Sequence, residues 1–256
     1  MDRESVTALF DLTGRVAIVT GGTRGIGLAI AEGFAAAGAG VVVASRKADA
    51  CAEVAAALRA GGADAIGVAT HLGDLDAGKR LVAATVEHFG RLDILVNNAA
   101  TALTQPVGEF TPDAWEKVYD VNLRGPVFLA QEALPHLDRS PAASIVNVIS
   151  AGAFLFSSNT AMYSGAKAAL MALTRSMAPG LAARGIRVNA LAPGTVDTDM
   201  VRNNTPEAVE RMAAAGLMRR MASPEEMIGP ALFLASDASS FMTGQVLIVD
   251  GGLVPH

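Results

Sequence analysis

Short apolar runs alternate with amphipathic stretches along most of this chain. Arg15–Val19, Val41–Ala44, Ala65–Ala69, Asp93–Val96, Ser144–Ile149, Ile186–Leu191 and Gln245–Val249 are apolar runs of strand length. Their hydrophobicity is continuous rather than alternating. That predicts strands covered on both faces, as in a parallel sheet. Between them, Ile26–Ala37, Ala48–Ala60, Leu75–Phe89, Pro112–Leu137, Ala161–Ala183 and Glu225–Ala235 carry helical patterns. Gly61-Gly62 and Gly90 end two of these, while Thr111-Pro112 and Ser223-Pro224 open two others. Gly125-Pro126 predicts a bend in the Pro112–Leu137 stretch. Pro179-Gly180 predicts a kink or early break near Ala178, because proline removes a helix hydrogen bond and glycine lowers propensity.

Strand and helix in strict alternation imply an α/β protein. The expected fold is a doubly wound, seven-stranded parallel sheet, Rossmann-like, in three αβα layers. No linker, repeat or low-complexity tract marks a boundary, so residues 1–256 read as a single domain. Gly194–Ala222 stands outside the alternation. It is polar and contains methionines, and such an insertion predicts a lid over a site.

Composition narrows the classes. Hydrophobic residues make up 51% of 256, with 26 glycines and few aromatics, which suits a compact α/β protein. A net charge of −5 without a basic block gives nucleic-acid binding no electrostatic support. Cys51 is the only cysteine, so no internal disulfide is possible and a reducing, cytoplasmic setting is expected. The first ten residues carry Asp2 and Glu4, unlike a signal peptide, and no apolar run approaches membrane-spanning length. His71, His88, His136 and His256 are scattered, so no metal is expected.

Chemistry concentrates where strands end. Thr20-Gly21-Gly22-Thr23-Arg24-Gly25-Ile26-Gly27 joins the first strand to the first helix. Glycines let backbone approach a ligand, and a helix start offers free N–H groups to a phosphate. In open parallel sheets ligands lie at the carboxyl ends of strands. That rule selects Gly21–Gly27, Ser45-Arg46, Thr70-His71, Asn97–Thr101, Ser150 and Pro193–Thr198 as walls of one cleft. Ser45 holds the position where a carboxylate would bind a ribose, and Arg46-Lys47 follows. With Arg24 from the glycine turn, two guanidinium groups would favour a 2′-phosphate, hence NADP(H) over NAD(H).

Tyr163 and Lys167 lie one turn apart on a helix face. An ammonium and an oxidised nicotinamide would lower the tyrosine pKa and fit it for proton transfer. Ser150, ending the fifth strand, can polarise a substrate carbonyl. Asn122 sits where a helix is expected, a poor place for Asn, and is a candidate to hold a relay water toward Lys167.

Together the glycine turn, Asn97-Asn98-Ala99, Asn122, Ser150, Tyr163-x-x-x-Lys167 and Pro193-Gly194 resemble the short-chain dehydrogenases/reductases in order and spacing. The resemblance covers essentially the whole chain. It implies Tyr163 as acid/base, Ser150 positioning the carbonyl or hydroxyl, Lys167 on the nicotinamide ribose, and Asn122 in the relay. It also implies a cofactor site from Gly21, Thr23, Arg24, Gly25, Ile26, Gly27, Ser45, Arg46, His71, Leu72, Asn98, Ala99, Ala100, Tyr163, Lys167, Pro193, Gly194, Val196 and Thr198. Assembly would be a homotetramer or homodimer through the Tyr163 helix. Two departures stand out. Ala100 replaces the usual glycine, implying a slightly shifted backbone. His71 replaces an aspartate, leaving the backbone of Leu72 to serve the adenine.

The substrate pocket is expected from Leu103, Phe154, Leu155, Phe156 and Met200, with Thr101, Met162, Met212 and Met218 nearby. These are mostly apolar and predict a neutral or hydrophobic carbonyl or alcohol. Rival readings are an NAD(H) enzyme of the same family, a silent nucleotide-binding scaffold, and a sugar-nucleotide epimerase. A scaffold is expected to have lost the tyrosine or lysine, and an epimerase to carry a larger C-terminal region.

Overall fold

The computed structural model describes residues 2–155 and 159–254. The described chain begins with α1 (Arg3–Ala8), then β1 (Val16–Thr20), α2 (Gly25–Ala36), β2 (Gly40–Ser45), α3 (Ala48–Ala60) and β3 (Ala65–Ala69). It continues with α4 (Leu75–Phe89), β4 (Ile94–Asn97), α5 (Pro112–Tyr119), a π-helical turn (Asp120–Arg124), α6 (Gly125–Leu137) and β5 (Ser144–Val148). The last third holds α7 (Ala161–Ala182), β6 (Arg187–Pro193), α8 (Asp199–Arg202), α9 (Pro206–Ala214), α10 (Ile228–Ala235) and β7 (Val246–Val249).

All seven strands pair in parallel, in the order β3-β2-β1-β4-β5-β6-β7. The order reverses between β1 and β4, which is where a doubly wound sheet opens its ligand crevice. Successive strand residues feed opposite faces, so most strand positions are apolar, with polar residues mainly at or near the strand ends. Ala17, Val19, Val41 and Val43 pack with Ile30 and Phe34 of α2 and Leu234 of α10. Ile18, Val42 and Ile145 pack on the other face with Leu81, Leu129 and Leu137 of α4 and α6.

Three local features depart from the sequence reading. A short helix, α1, precedes the first strand. Asp2 caps it through the Ser5 N–H, but it buries no residue, so its sequence carries no helical stripe. The bend at Gly125-Pro126 takes the form of a π turn just before it. Pro126 has no N–H to give the Asn122 carbonyl four residues back, and the helix accommodates the missing bond by widening.

The break expected near Ala178 does not occur. α7 runs through Pro179 and Gly180 to Ala182. Pro179 lies in the last turn, where it costs only the bond to the Arg175 carbonyl. Ala178 and Leu181 on either side of it are buried, and that packing outweighs the local propensity.

Candidate active site

The glycine turn is locked to the loop after β4. The Thr20 hydroxyl donates to the Val96 carbonyl at 3.1 Å and accepts the N–H groups of Asn98 and Ala99 at 2.9 and 3.0 Å. The Asn98 amide donates to the Thr20 carbonyl at 2.8 Å. A Cβ on Gly21 would lie 2.9 Å from both Asn98 Nδ2 and the Ala99 Cα, and one on Gly27 would collide with the same amide and the Gly21 carbonyl. Gly21 and Gly25 also adopt positive φ angles of 66° and 52°. Thr20 was absent from the sequence-derived site. A polar residue closing an otherwise apolar strand was the available signal.

α2 starts at Gly25, and the Arg24 side chain makes no capping bond to it. Its first N–H groups therefore remain available to an anion, with the dipole aiding. Backbone close enough to exclude any Cβ, followed by an uncapped helix start, fits the diphosphate of a dinucleotide. Thr23 turns toward β2, where its hydroxyl meets Ser45 Oγ at 3.1 Å. Arg46 lies exposed just beyond. Arg24 turns the other way, toward Asp199 of the lid, 3.2 Å away. The His71 ring folds onto its own loop and accepts the Gly73 N–H at 3.1 Å. Leu72 is buried, its carbonyl close under Gly125.

The opposite wall is built by β5 and α7. Ser150 follows β5 and accepts the Gly152 N–H at 3.0 Å, and its hydroxyl lies close enough to the Tyr163 phenol to act on its pKa. Lys167 is buried one turn further along, and its Nζ donates to the Val148 carbonyl at 2.7 Å. Burial pushes Lys167 down to about 8. Burial also pushes Tyr163 up, and the nearby Ser150 hydroxyl only partly opposes it. The expected lowering is thus absent from the free protein. The ammonium is turned to the Val148 carbonyl and stands 5.9 Å from the phenol ring centre. The nicotinamide charge arrives only with the cofactor.

Asn122 is fully buried in the π turn, and its side chain is already spent. It accepts the Thr101 N–H and donates to the Thr101 carbonyl, both at 2.8 Å. The amide therefore pins the loop after β4. Its main-chain carbonyl cannot receive the usual helical N–H from Pro126, which has none.

The Gly194–Ala222 insertion is fixed at its base. Val196 bridges Ala222, and Thr195 and Asp197 exchange backbone bonds with Ala222 at 3.0 and 2.8 Å. Pro193 ends β6, and a Cβ on Gly194 would lie 2.6 Å from the Asp250 Cα. Thr198 Cγ2 would be 2.9 Å from a Cβ on Gly25, so the lid base touches the glycine turn. Neither α8 nor α9 buries a residue.

Of the substrate candidates, Leu103 packs beside Ala114, Val118 and Ala166, and Phe154 beside Ile149 and Leu170. Met162, expected near the substrate, is only 2% exposed in the Leu103 cluster and is core. Leu155 is half-buried and Met200 exposed. Phe156 lies outside the described residues. Alongside, Trp115 of α5 stacks on Tyr119 at 4.2 Å, and the Tyr119 hydroxyl would be 2.9 Å from a Cβ on Gly165 of α7. Among the described residues no group of His, Cys, Asp or Glu is placed to hold a metal, and no helix is long and apolar enough to cross a membrane.

Comparison with known proteins gives this geometry a lineage. A family model described as Enoyl-(Acyl carrier protein) reductase matches residues 21–254. Cis-4-hydroxycyclohexanecarboxylate dehydrogenase of Sinomonas cyclohexanicum is 42% identical over 239 residues, 93% of this chain and 96% of that protein. The rhamnolipids biosynthesis 3-oxoacyl-[acyl-carrier-protein] reductase of Pseudomonas aeruginosa is 40% identical over 250 residues, 95% and 97% of the two chains. The solved Pseudomonas aeruginosa RhlG/NADP active-site complex superposes with a TM-score of 0.92 at 38% identity, covering 97% of this chain and 99% of that one. With a match of this extent and strand-end loops arranged as described, the chain belongs to the short-chain dehydrogenase/reductase family and is an oxidoreductase acting on CH–OH/C=O groups.

Proposed function

We propose that this protein transfers hydride between NADP(H) and a neutral or apolar carbonyl/secondary alcohol pair. The observation that carries the reading is the convergence of Ser150, Tyr163 and Lys167 at the carboxyl end of β5, on the same sheet edge as the glycine turn after β1. The cofactor supplies the hydride chemistry when bound. Tyr163 gives or takes the proton at the substrate oxygen, and Ser150 donates a hydrogen bond to the same oxygen. With its pKa held up by burial, the phenol is protonated at neutral pH and is set to act as an acid in carbonyl reduction. Lys167 holds the nicotinamide ribose and supplies positive charge beside the phenol. Asn122 acts through its main-chain carbonyl, which would hold the relay water, while its amide keeps the Thr101 loop in place.

NADP(H) preference rests on Arg46 beyond β2 and Arg24 in the turn, with no carboxylate at Ser45 to repel a 2′-phosphate. NAD(H) use is the second reading, favoured by the Arg24–Asp199 contact, which occupies one of the two guanidinium groups. The reacting centre is taken as neutral because Leu155 and Met200 are apolar. The names of the two relatives support the reacting group: a cyclic alcohol, which also carries a carboxylate, and a 3-oxoacyl group both place a secondary alcohol or ketone within a carbon skeleton. Residues 1–256 would act as one catalytic domain with Gly194–Ala222 as its lid. Exposed Trp115 and Phe128 on α5 and α6 support self-association through these helices and α7, as a homotetramer or homodimer in the cytoplasm.

The test is a panel of ketones and secondary alcohols with NADPH, NADP⁺, NADH and NAD⁺, followed by nicotinamide absorbance. Tyr163→Phe should lose about 10²–10⁴-fold in kcat/KM while binding NADPH like wild type. No turnover with any pair, with unaltered cofactor binding in that variant, would favour the silent scaffold.

A further inference from the structure

Arg24 is shared between two walls of the cleft. Its backbone belongs to the glycine turn, yet its guanidinium reaches Asp199 Oδ2 at 3.2 Å, at the start of α8. Among the described residues this is the one ion pair joining the lid helices to the glycine turn. Arg202, the nearest other cation on α8, is already held by Asp197 in a two-point pair at 2.6 and 2.7 Å. Among the described residues Arg24 is the one cation within ion-pair distance of Asp199, although Arg202 also feels its charge. The neighbouring Thr198 packs against Gly25, which holds the two backbones together at this junction. Both partners remain largely exposed, at 70% and 60%.

We propose that Asp199 is a specificity-determining residue: its carboxylate competes with the 2′-phosphate of the dinucleotide for Arg24 and so lowers the protein's preference for NADP(H) over NAD(H). This rests on Arg24 reading the 2′-phosphate, as proposed above. The contact is a single one, from one guanidinium nitrogen at 3.2 Å, so a phosphate that engages the fork bidentately must draw the side chain away from the carboxylate or share its donors with it. An unphosphorylated dinucleotide makes no such demand and leaves the pair intact. Exposed ion pairs are worth little, so the competition is a tuning device rather than a block.

The test is direct binding, by nicotinamide fluorescence, of NADPH and NADH to wild type, Asp199→Asn, Arg24→Ala and the double variant. Asp199→Asn should tighten NADPH about two- to fivefold and leave NADH unchanged. In the Arg24→Ala background the same substitution should do nothing to either, because the competitor has lost its object. Equal tightening of both dinucleotides would mean only a general charge effect on the diphosphate and would overturn the proposal, as would a gain that survives Arg24→Ala. If Arg24→Ala itself leaves the NADPH-to-NADH ratio unchanged, the phosphate-reading role of Arg24 is what fails. If that ratio falls but Asp199→Asn is silent, only the competition fails. Circular dichroism of each variant guards against misfolding.

Discussion

The two walls of the cleft are made in opposite ways. The glycine turn is interlocked with the loop after β4: Thr20 and Asn98 tie it, and Gly21 and Gly27 leave no room for a methyl group. The insertion from Gly194 to Ala222, proposed above as a lid, is tied at its base and buries nothing along α8 or α9. A surface that must meet a constant diphosphate gains from being formed beforehand. The weak tertiary attachment of the Gly194–Ala222 insertion puts it at the low-stability end of the fold.

That contrast is easiest to break at Gly27. Gly27→Ala drives a methyl group into the Asn98 amide and the Gly21 carbonyl, and neither is the free end of a flexible chain. We expect a loss of roughly 1–3 kcal/mol in urea unfolding, with dinucleotide binding impaired in whatever remains folded. A neutral result would mean the turn is as yielding as the lid.

Between the walls sits Lys167, whose pKa falls from its ordinary value to about 8 in the folded protein. Between that pH and the unfolded value near 10.5, the unfolded chain binds the extra proton, so stability contributed at this position rises with pH. Below pH 8 the contribution is flat. Wild type compared with Lys167→Met by chemical unfolding from pH 7 to 10 should therefore diverge only above about pH 8, in favour of wild type. Parallel curves would show that the ammonium is solvated and the site open.

The smallest expected effect belongs to the lid. Met200→Ala should leave stability within about 0.5 kcal/mol, because the side chain is exposed. KM for apolar ketones should rise while NADPH binding stays put. A large stability loss would erase the distinction between the walls.

The sheet was legible because a parallel strand is apolar on both faces, as Val41-Val42-Val43 shows with neighbours in two separate cores. The rim residues were legible because the strand ends are fixed once the strands are. What local sequence concealed was compensated or unburied structure. α1 has no apolar stripe to betray it, and Pro179 is outweighed by the packing of Ala178 and Leu181. The π turn was visible only as its cause, Pro126. The partners of Asn122 and Arg24 were hidden for a different reason. Thr101 and Asp199 are distant in sequence from the residues they meet, and no periodicity encodes such contacts.

Trp115 is the only tryptophan in the chain, stacked on Tyr119, whose hydroxyl abuts the helix between Tyr163 and Lys167 at Gly165. The molecule thus carries its own optical label. An indole in contact with a second ring has an asymmetric environment, so near-ultraviolet dichroism and intrinsic emission both report how α5 seats against α7, without any dye and before any substrate is known.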